Sequence, residues 1–256
     1  MRIFRQSLTI LILSTLLVGQ SNVGTTAAAF LDIGIGARSL SMGGAFTAVA
    51  NDVTALYWNP AGITHISRPS TQFYYAPWFA DIDFTHGAAV VPMGRMGTIG
   101  IAITSVTMEE MPVRTLQDPE GTGELFEVSN LALAATYAKK LTDRFSFGLN
   151  LKLVQEKIWH MNAGGLAVDL GSLFVTKNSG VRIGMSVSNF GGKSAMEGYD
   201  TEVDYDVDET MYGNNDKIDA HLNAMKWPLP LVFRAGVSKD LIQSDLYKLT
   251  LAGDAV

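Results

Sequence analysis

From about residue 70 onward the chain alternates between apolar and polar positions. Phe145, Phe147, Leu149, Leu151 and Leu153 interleave with Ser146, Gly148, Asn150 and Lys152. Val181, Ile183, Met185 and Val187 interleave with Arg182, Gly184, Ser186 and Ser188, and the same period runs through Ile99, Ile101 and Ile103 and through Leu231, Phe233, Ala235 and Val237. Successive side chains of a strand point to opposite faces, so each segment presents one apolar wall and one polar or small wall. Nine strands are predicted, over residues 70–75, 84–91, 98–106, 128–139, 145–157, 165–175, 181–189, 231–239 and 247–254.

Alternation also fits a secreted β-sandwich, whose apolar face turns inward. Connection lengths discriminate better. Those after even strands are short (93–96, 141–144, 177–180 and 240–246), whereas the long ones, 107–127 and 190–230, follow odd strands. The connection at 158–164 is intermediate and that at 76–83 modest. In an up-and-down meander the two sets lie at opposite ends, which is the asymmetry of outer-membrane barrels with short periplasmic turns and long external loops. Tyr74, Tyr75, Trp78, Phe79, Trp159 and Trp227 stand at strand edges and suit an interfacial girdle. The ninth strand stops at Ala255-Val256. A single-chain barrel has an even strand number and no open edge in lipid, so C-terminal strands are expected to be missing from this sequence.

Ahead of the strands the period changes. Residues 36–63 are rich in small side chains and have helical spacing, with Ala45, Ala48 and Val49 on one face. Asn51 or Asp52 can cap a second short turn carrying Ala55, Leu56 and Tyr57, and Asn59-Pro60-Ala61-Gly62 then breaks the helix. Two pieces this short cannot bury their own apolar faces and must pack inside something larger. Asn59-Pro60-Ala61 is expected to form a tight turn fixing this plug to a barrel wall, with Gly43, Gly44 and Ala45 allowing close packing.

The first residues carry Arg2 and Arg5, then a largely apolar run over 8–18, then Ala27-Ala28-Ala29 before Phe30. This is the three-part pattern of a secretory signal peptide. The predicted organisation is a signal peptide over 1–29, a hatch over 30–67 and a barrel over 68–256. No later apolar run reaches the roughly 18 residues of a membrane helix.

Charged residues make up only 17% of the 256 residues, against about 25% in a typical soluble domain. The formal charge of -6 argues against a nucleic-acid binder, and zero Cys excludes disulfides and thiolate chemistry. No catalytic constellation emerges, so no enzyme, cofactor or metal is expected: His65, His86, His160 and His221 are scattered and lack ligand spacing. The acidic loop over 199–209 carries Asp200, Glu202, Asp204, Asp206, Asp208 and Glu209 without an EF-hand Gly or terminal Glu, and is expected to be exposed and free of specific metal. Lys152, Asp169, Arg182 and Arg234 are placed to form a polar network inside a barrel.

Four motifs in order, Gly36-Ala37-Arg38, Met42-Gly43-Gly44-Ala45, Ala50-Asn51-Asp52 and Trp58-Asn59-Pro60-Ala61-Gly62, resemble the N-terminal hatch of FadL-like outer-membrane proteins, and more closely that of the PorV/PorQ family. Ser188-Asn189-Phe190-Gly191-Gly192-Lys193 and the terminal Lys248 to Asp254 stretch are similar to PorV/PorQ as well. The resemblance implies an all-β, antiparallel transmembrane β-barrel of fourteen strands, about nine of them present here, in a bacterial outer membrane. It assigns hatch or gating roles to Arg38, Met42, Gly43, Gly44, Asn59, Pro60 and Ala61. In its PorV/PorQ form it implies a component of type IX secretion that holds the C-terminal domain of secreted cargo, with the translocon as a further partner. Met196, Met211, Tyr212, Met225 and Trp227 of the long loop are then the expected cargo contacts. The FadL form implies a transporter of fatty acids or other hydrophobic small molecules. The PorV/PorQ form covers more of the chain and tips the sequence reading toward secretion; outer-membrane lipid is a partner either way.

Overall fold

The structure, a computed structural model, describes residues 24–205, 218–244 and 247–256. Nine long strands follow one another: β1 (Ser70–Pro77), β2 (Ile82–Pro92), β3 (Thr98–Met108), β4 (Val128–Lys140), β5 (Phe145–Ile158), β6 (Met161–Val175), β7 (Arg182–Gly191), β8 (Val232–Gln243) and β9 (Lys248–Ala255). Each pairs antiparallel with the next, giving one sheet in strict chain order, to which the short Glu197–Gly198 segment adds on β6. The protein is therefore all-β and antiparallel. Among the described residues β1 and β9 are not paired with each other.

The connection after β5 departs from expectation. The Ile158↔Met161 pair leaves only Trp159 and His160 in the turn, with Trp159 in the left-handed region at φ 52. The alternating pattern is diluted there by Asn162, Gly164 and Gly165, which hid the start of β6. The asymmetry between the two ends thus rests on the long segments after β3 and after β7.

Burial alternates along the strands in an unusual sense. Large apolar side chains lie on the open face: Ile101 is 64% exposed, Leu153 60%, Leu166 66% and Phe233 57%. The buried face carries small or polar residues, among them Ala132, Thr136, Ala138, Ser146, Asn150, Ala167 and Ser186. A soluble sandwich would bury the isoleucines and leucines, since each stabilises the fold by about 1.5–3 kcal/mol when removed from water.

What covers the polar face is the segment before β1. It comprises a 3-10 turn (Ala29–Asp32), α1 (Ala37–Ser41), α2 (Ala55–Trp58) and a second 3-10 turn (Pro60–His65). Phe46, Val49, Val53, Leu56, Trp58 and Ile63 form a buried cluster with Ala88 and Val90 of β2 and Ala138 of β4. Ala28, Phe30 and Leu31 form a second cluster with Ala132, Val154, Ala167 and Leu229.

The expected helix through Ala45, Ala48 and Val49 is not formed. Gly43 and Gly44 both take positive φ (66° and 79°), ending α1 at Ser41 and sending the chain through turns to Ala50. Asp52 does organise the entry to α2, its Oδ1 accepting from the Thr54 amide at 3.0 Å, while Thr54 occupies the capping position.

Candidate functional site: the hatch, its wall and the loop above

The hatch is seated through Asn59-Pro60-Ala61. Asn59 is fully buried; its Nδ2 donates to the carbonyls of Thr47 (2.8 Å) and Ser172 (3.0 Å), and its Oδ1 accepts from the Ala61 amide (3.2 Å). One side chain thus ties the two halves of the hatch to β6. Pro60 starts the second 3-10 turn, where its missing N–H costs nothing.

The wall is shaped to receive this turn. Gly148 of β5 and Gly171 of β6 are cross-strand partners, and a Cβ on either would overlap Asn59, Pro60 or Ala61. Gly184 of β7 and Gly236 of β8 are also partners; a Cβ on Gly184 would overlap the backbone at Thr47 and Ala48, and one on Gly236 the Asp254 carboxylate that holds Thr47. On β9, Asp254 reaches back so that its Oδ2 accepts from the Thr47 amide at 2.8 Å. Close packing at four glycines and one carboxylate therefore fix the hatch across five neighbouring strands. Alternation marks these glycines only as members of the non-apolar face; nothing local in the sequence distinguishes a landing glycine from another small residue.

The remaining hatch residues play different parts. Arg38 Nη1 donates to Asn51 Oδ1 (2.7 Å) and Asp52 Oδ2 (3.0 Å), and its guanidinium lies 5.0 Å from the Phe46 ring, so it braces the hatch internally. Met42 packs half-buried against the apolar cluster. Gly43 and Gly44 serve the turn geometry, not close packing, because a Cβ on Gly43 would meet nothing within 4 Å and one on Gly44 only the Trp58 ring at 3.5 Å. Asn59→Ala would strand two carbonyls and an amide in a buried seam, and is expected to destabilise the hatch by about 2–3 kcal/mol. Urea unfolding of the refolded protein in micelles, followed by fluorescence of the hatch Trp58, measures it.

The four charged residues expected to form one network divide into three groups. Lys152 Nζ pairs with Asp169 Oδ2 at 2.8 Å, both buried, and also donates to Asn189 Oδ1 at 2.8 Å. Asn150 Nδ2 donates to Asp169 Oδ2 (2.8 Å), and the Asn189 amide to Asp169 Oδ1 (2.7 Å). Arg234 instead stacks on the hatch, 5.6 Å from the Tyr57 ring and 5.3 Å from that of Trp58. Burial pushes the Tyr57 phenol up to about 12, so it stays neutral beside that guanidinium. Arg182 pairs with Asp240 at 2.7 Å, away from both.

Asn189 is where β7 slips register against β6 before ending at Gly191. It has φ 62, sits at a register shift opposite Val168 and Leu170, and donates through Nδ2 to the Pro230 carbonyl at 2.9 Å. The Lys152–Asp169 pair thus clamps both feet of the long loop that departs after Gly191 and returns at β8. Past Ala167↔Gly191 the β6–β7 backbone ladder lapses until Asn162↔Glu197, and across the gap Ser194 Oγ donates to the Gly164 carbonyl at 3.2 Å. Beside this lapse lies an apolar recess of about 810 Å³, lined by Leu131, Leu133 and Leu153 of the open face, by Val154 and Ala163 of the buried face, and by Gly164, Gly165 and Leu166. The sequence signal for it, the Gly164-Gly165 pair inside a strand, is legible only afterwards.

Of the expected loop contacts, Met225 is 69% exposed, Met196 is half-buried, and Trp227 is held in a short ladder opposite Ser194. Met211 and Tyr212, with Asp206, Asp208 and Glu209 of the acidic loop, lie outside the described residues. Tyr199 and Leu222 are exposed apolar loop residues that the sequence reading passed over. Among the described residues no cluster of three or more metal-binding side chains occurs.

Fold and site define a class: an all-β protein whose antiparallel meander holds a small helical hatch on its polar face. A model of the uncharacterised protein family UPF0164 matches residues 17–195, more than half of the chain, and the chain belongs to that family. The match takes in the hatch and β1 to β7. No curated protein matches the chain.

Proposed function

We propose that this protein is an outer-membrane β-barrel of the FadL-like superfamily and that, in the FadL rather than the PorV/PorQ manner, it passes hydrophobic compounds sideways through its wall. The inverted burial supports the membrane reading, because lipid is the solvent that tolerates a continuous band of exposed Ile, Leu and Phe. The observation that carries the transport reading is the apolar recess at the β6–β7 lapse. Its volume falls in the range of ligand sites, about 300–1,000 Å³. By contrast the cavity between hatch and wall, lined by Phe30, Leu56, Tyr57 and His86, is about 30 Å³, too small for an acyl chain. With the hatch seated, a lateral route is the one that geometry favours.

Uptake of labelled fatty acid by cells carrying the full-length gene tests this. Gly164→Leu, which fills the recess from the open face, should cut uptake about tenfold, as loss of about 1.4 kcal/mol of binding does. Unchanged uptake after deletion of the whole gene would sink the transport reading.

A second reading, a type IX secretion component holding cargo C-terminal domains, is favoured by the exposed Tyr199, Leu222 and Met225 on the external loop. Pull-down from detergent extract separates the two. Secreted proteins sharing a C-terminal domain would speak for the shuttle, and co-purified lipid without them for the transporter.

A further inference from the structure

The segment ahead of the hatch ends in an unexpected place. Ala27 donates its amide to the Pro228 carbonyl at 2.9 Å, beside the returning foot of the long loop, and Ala28 packs with Val154 and Leu229. The chain therefore runs from the long-loop end, along the inside of the sheet, to the Asn59 seat near the short turns.

The wall around Ala28 shows an excess of acceptors. Glu156 of β5 is a half-buried carboxylate whose Oε2 accepts from the Ala28 amide at 2.9 Å. Among the described residues it has no ion-pair partner, although Lys152 and Lys157 on the same strand are both paired, with Asp169 and Glu127. Its direct cross-strand partner on β4, Asn130, has a buried Oδ1 with no hydrogen-bond partner. One amide N–H thus stands opposite a lone carboxylate with an unused carbonyl beside it. Ala28 also sits at φ 52, a left-handed conformation that costs an L-residue about 1 kcal/mol. That φ is defined by the Ala27–Ala28 peptide bond and ceases to exist when the bond is broken.

We infer that the mature protein begins at Ala28 and that its new α-ammonium is the cation for Glu156 and Asn130. This rests on the exported-barrel reading. An endopeptidase of the export route would add water across the Ala27–Ala28 bond, the hydroxyl going to the Ala27 carbonyl carbon and the proton to the Ala28 nitrogen. Thr25 and Ala27 then occupy the small-residue positions ahead of the cut. By composition alone the Ala27-Ala28-Ala29 run favours a cut before Phe30; the lone carboxylate opposite the Ala28 nitrogen is what favours the cut before Ala28. An ammonium offers three donors where the amide offers one, and its bond to a carboxylate is charge-assisted. The arm would be locked inside the wall, beneath the foot of the external loop.

N-terminal sequencing of the protein purified from outer membranes tests the cut. The expected start is Ala-Ala-Phe-Leu-Asp. A start at Ala29 or Phe30 overturns the inference and leaves the exported-barrel reading intact, whereas an intact Met1 overturns both. Pairing is read separately, by acylation of the α-amine with an activated ester near neutral pH, lysines serving as the internal control. Glu156→Gln should speed α-amine labelling about tenfold, the effect of one pKa unit, and Glu156→Asp should retain part of the protection. Equal labelling of the wild type and both variants overturns the pairing.

Discussion

Asp169→Ala is expected to be among the most damaging single substitutions, lowering stability by about 3–5 kcal/mol. The side chain is fully buried and accepts from Lys152, Asn150 and the Asn189 amide. Removing it leaves the Lys152 ammonium without its counter-charge and frees Asn189, which holds the Pro230 end of the long loop. Asp169→Asn keeps the shape and should cost less. Lys152→Met in the Asp169→Ala background should recover part of the loss, because no unpaired charge then remains. Urea midpoints of the four proteins in micelles measure this, and limited proteolysis should show the long loop cut faster whenever Asn189 is released. If Asp169→Ala matches wild type in both, the clamp is not energetically coupled to the loop.

The second large effect is expected at Gly171. A Cβ there would overlap Asn59 Oδ1 and the Pro60 ring, and neither can retreat because Asn59 is fixed by Thr47, Ser172 and Ala61. Overpacking of this kind costs about 1–3 kcal/mol and occasionally more. Gly171→Val should unseat the hatch while leaving the outer wall assembled. In planar bilayers, the full-length variant should show single-channel openings that the wild type lacks. Gly43→Ala is the contrasting case: it adds a Cβ in open space and carries only the left-handed backbone cost, about 1 kcal/mol, so its channels should stay closed. Openings in neither variant would mean that the hatch does not occlude a pore.

How far the sequence revealed this architecture follows from which interactions are local. Strands were legible because side-chain period is a property of a few consecutive residues; Ile99 to Ile103 and Phe145 to Leu153 announce themselves. Their orientation, apolar side outward, came indirectly from loop lengths. The break at Asn59-Pro60 was legible from proline chemistry, but the path of residues 43–50 was not. Helical spacing there competes with two glycines in the left-handed region, and the glycines win because the hatch must lay the Thr47 backbone against Gly184 and the Asp254 carboxylate. The clamp of Lys152, Asp169 and Asn189 was legible only as three polar residues on one face; their meeting depends on a register shift in β7. Asp254, the Ala28–Glu156 contact and the recess at Gly164-Gly165 join parts of the chain far apart in sequence, and no local pattern points to them.

The central claim is that the apolar face of the sheet meets lipid while the opposite face holds the hatch. These 256 residues hold no cysteine, so one introduced cysteine carries the nitroxide at a chosen position, any cysteine elsewhere in the full-length protein being replaced by serine. Labels at Ile101, Leu153, Leu166 and Phe233 of the full-length protein in lipid vesicles would be compared with labels at Ala102, Ala132 and Ala167 for collision with oxygen and with a water-soluble nickel complex. The account predicts strong oxygen and weak nickel collision at the first four, and weak collision with both reagents at the other three. Nickel collision at Ile101 and Phe233 matching that of a freely hydrated loop label would contradict it.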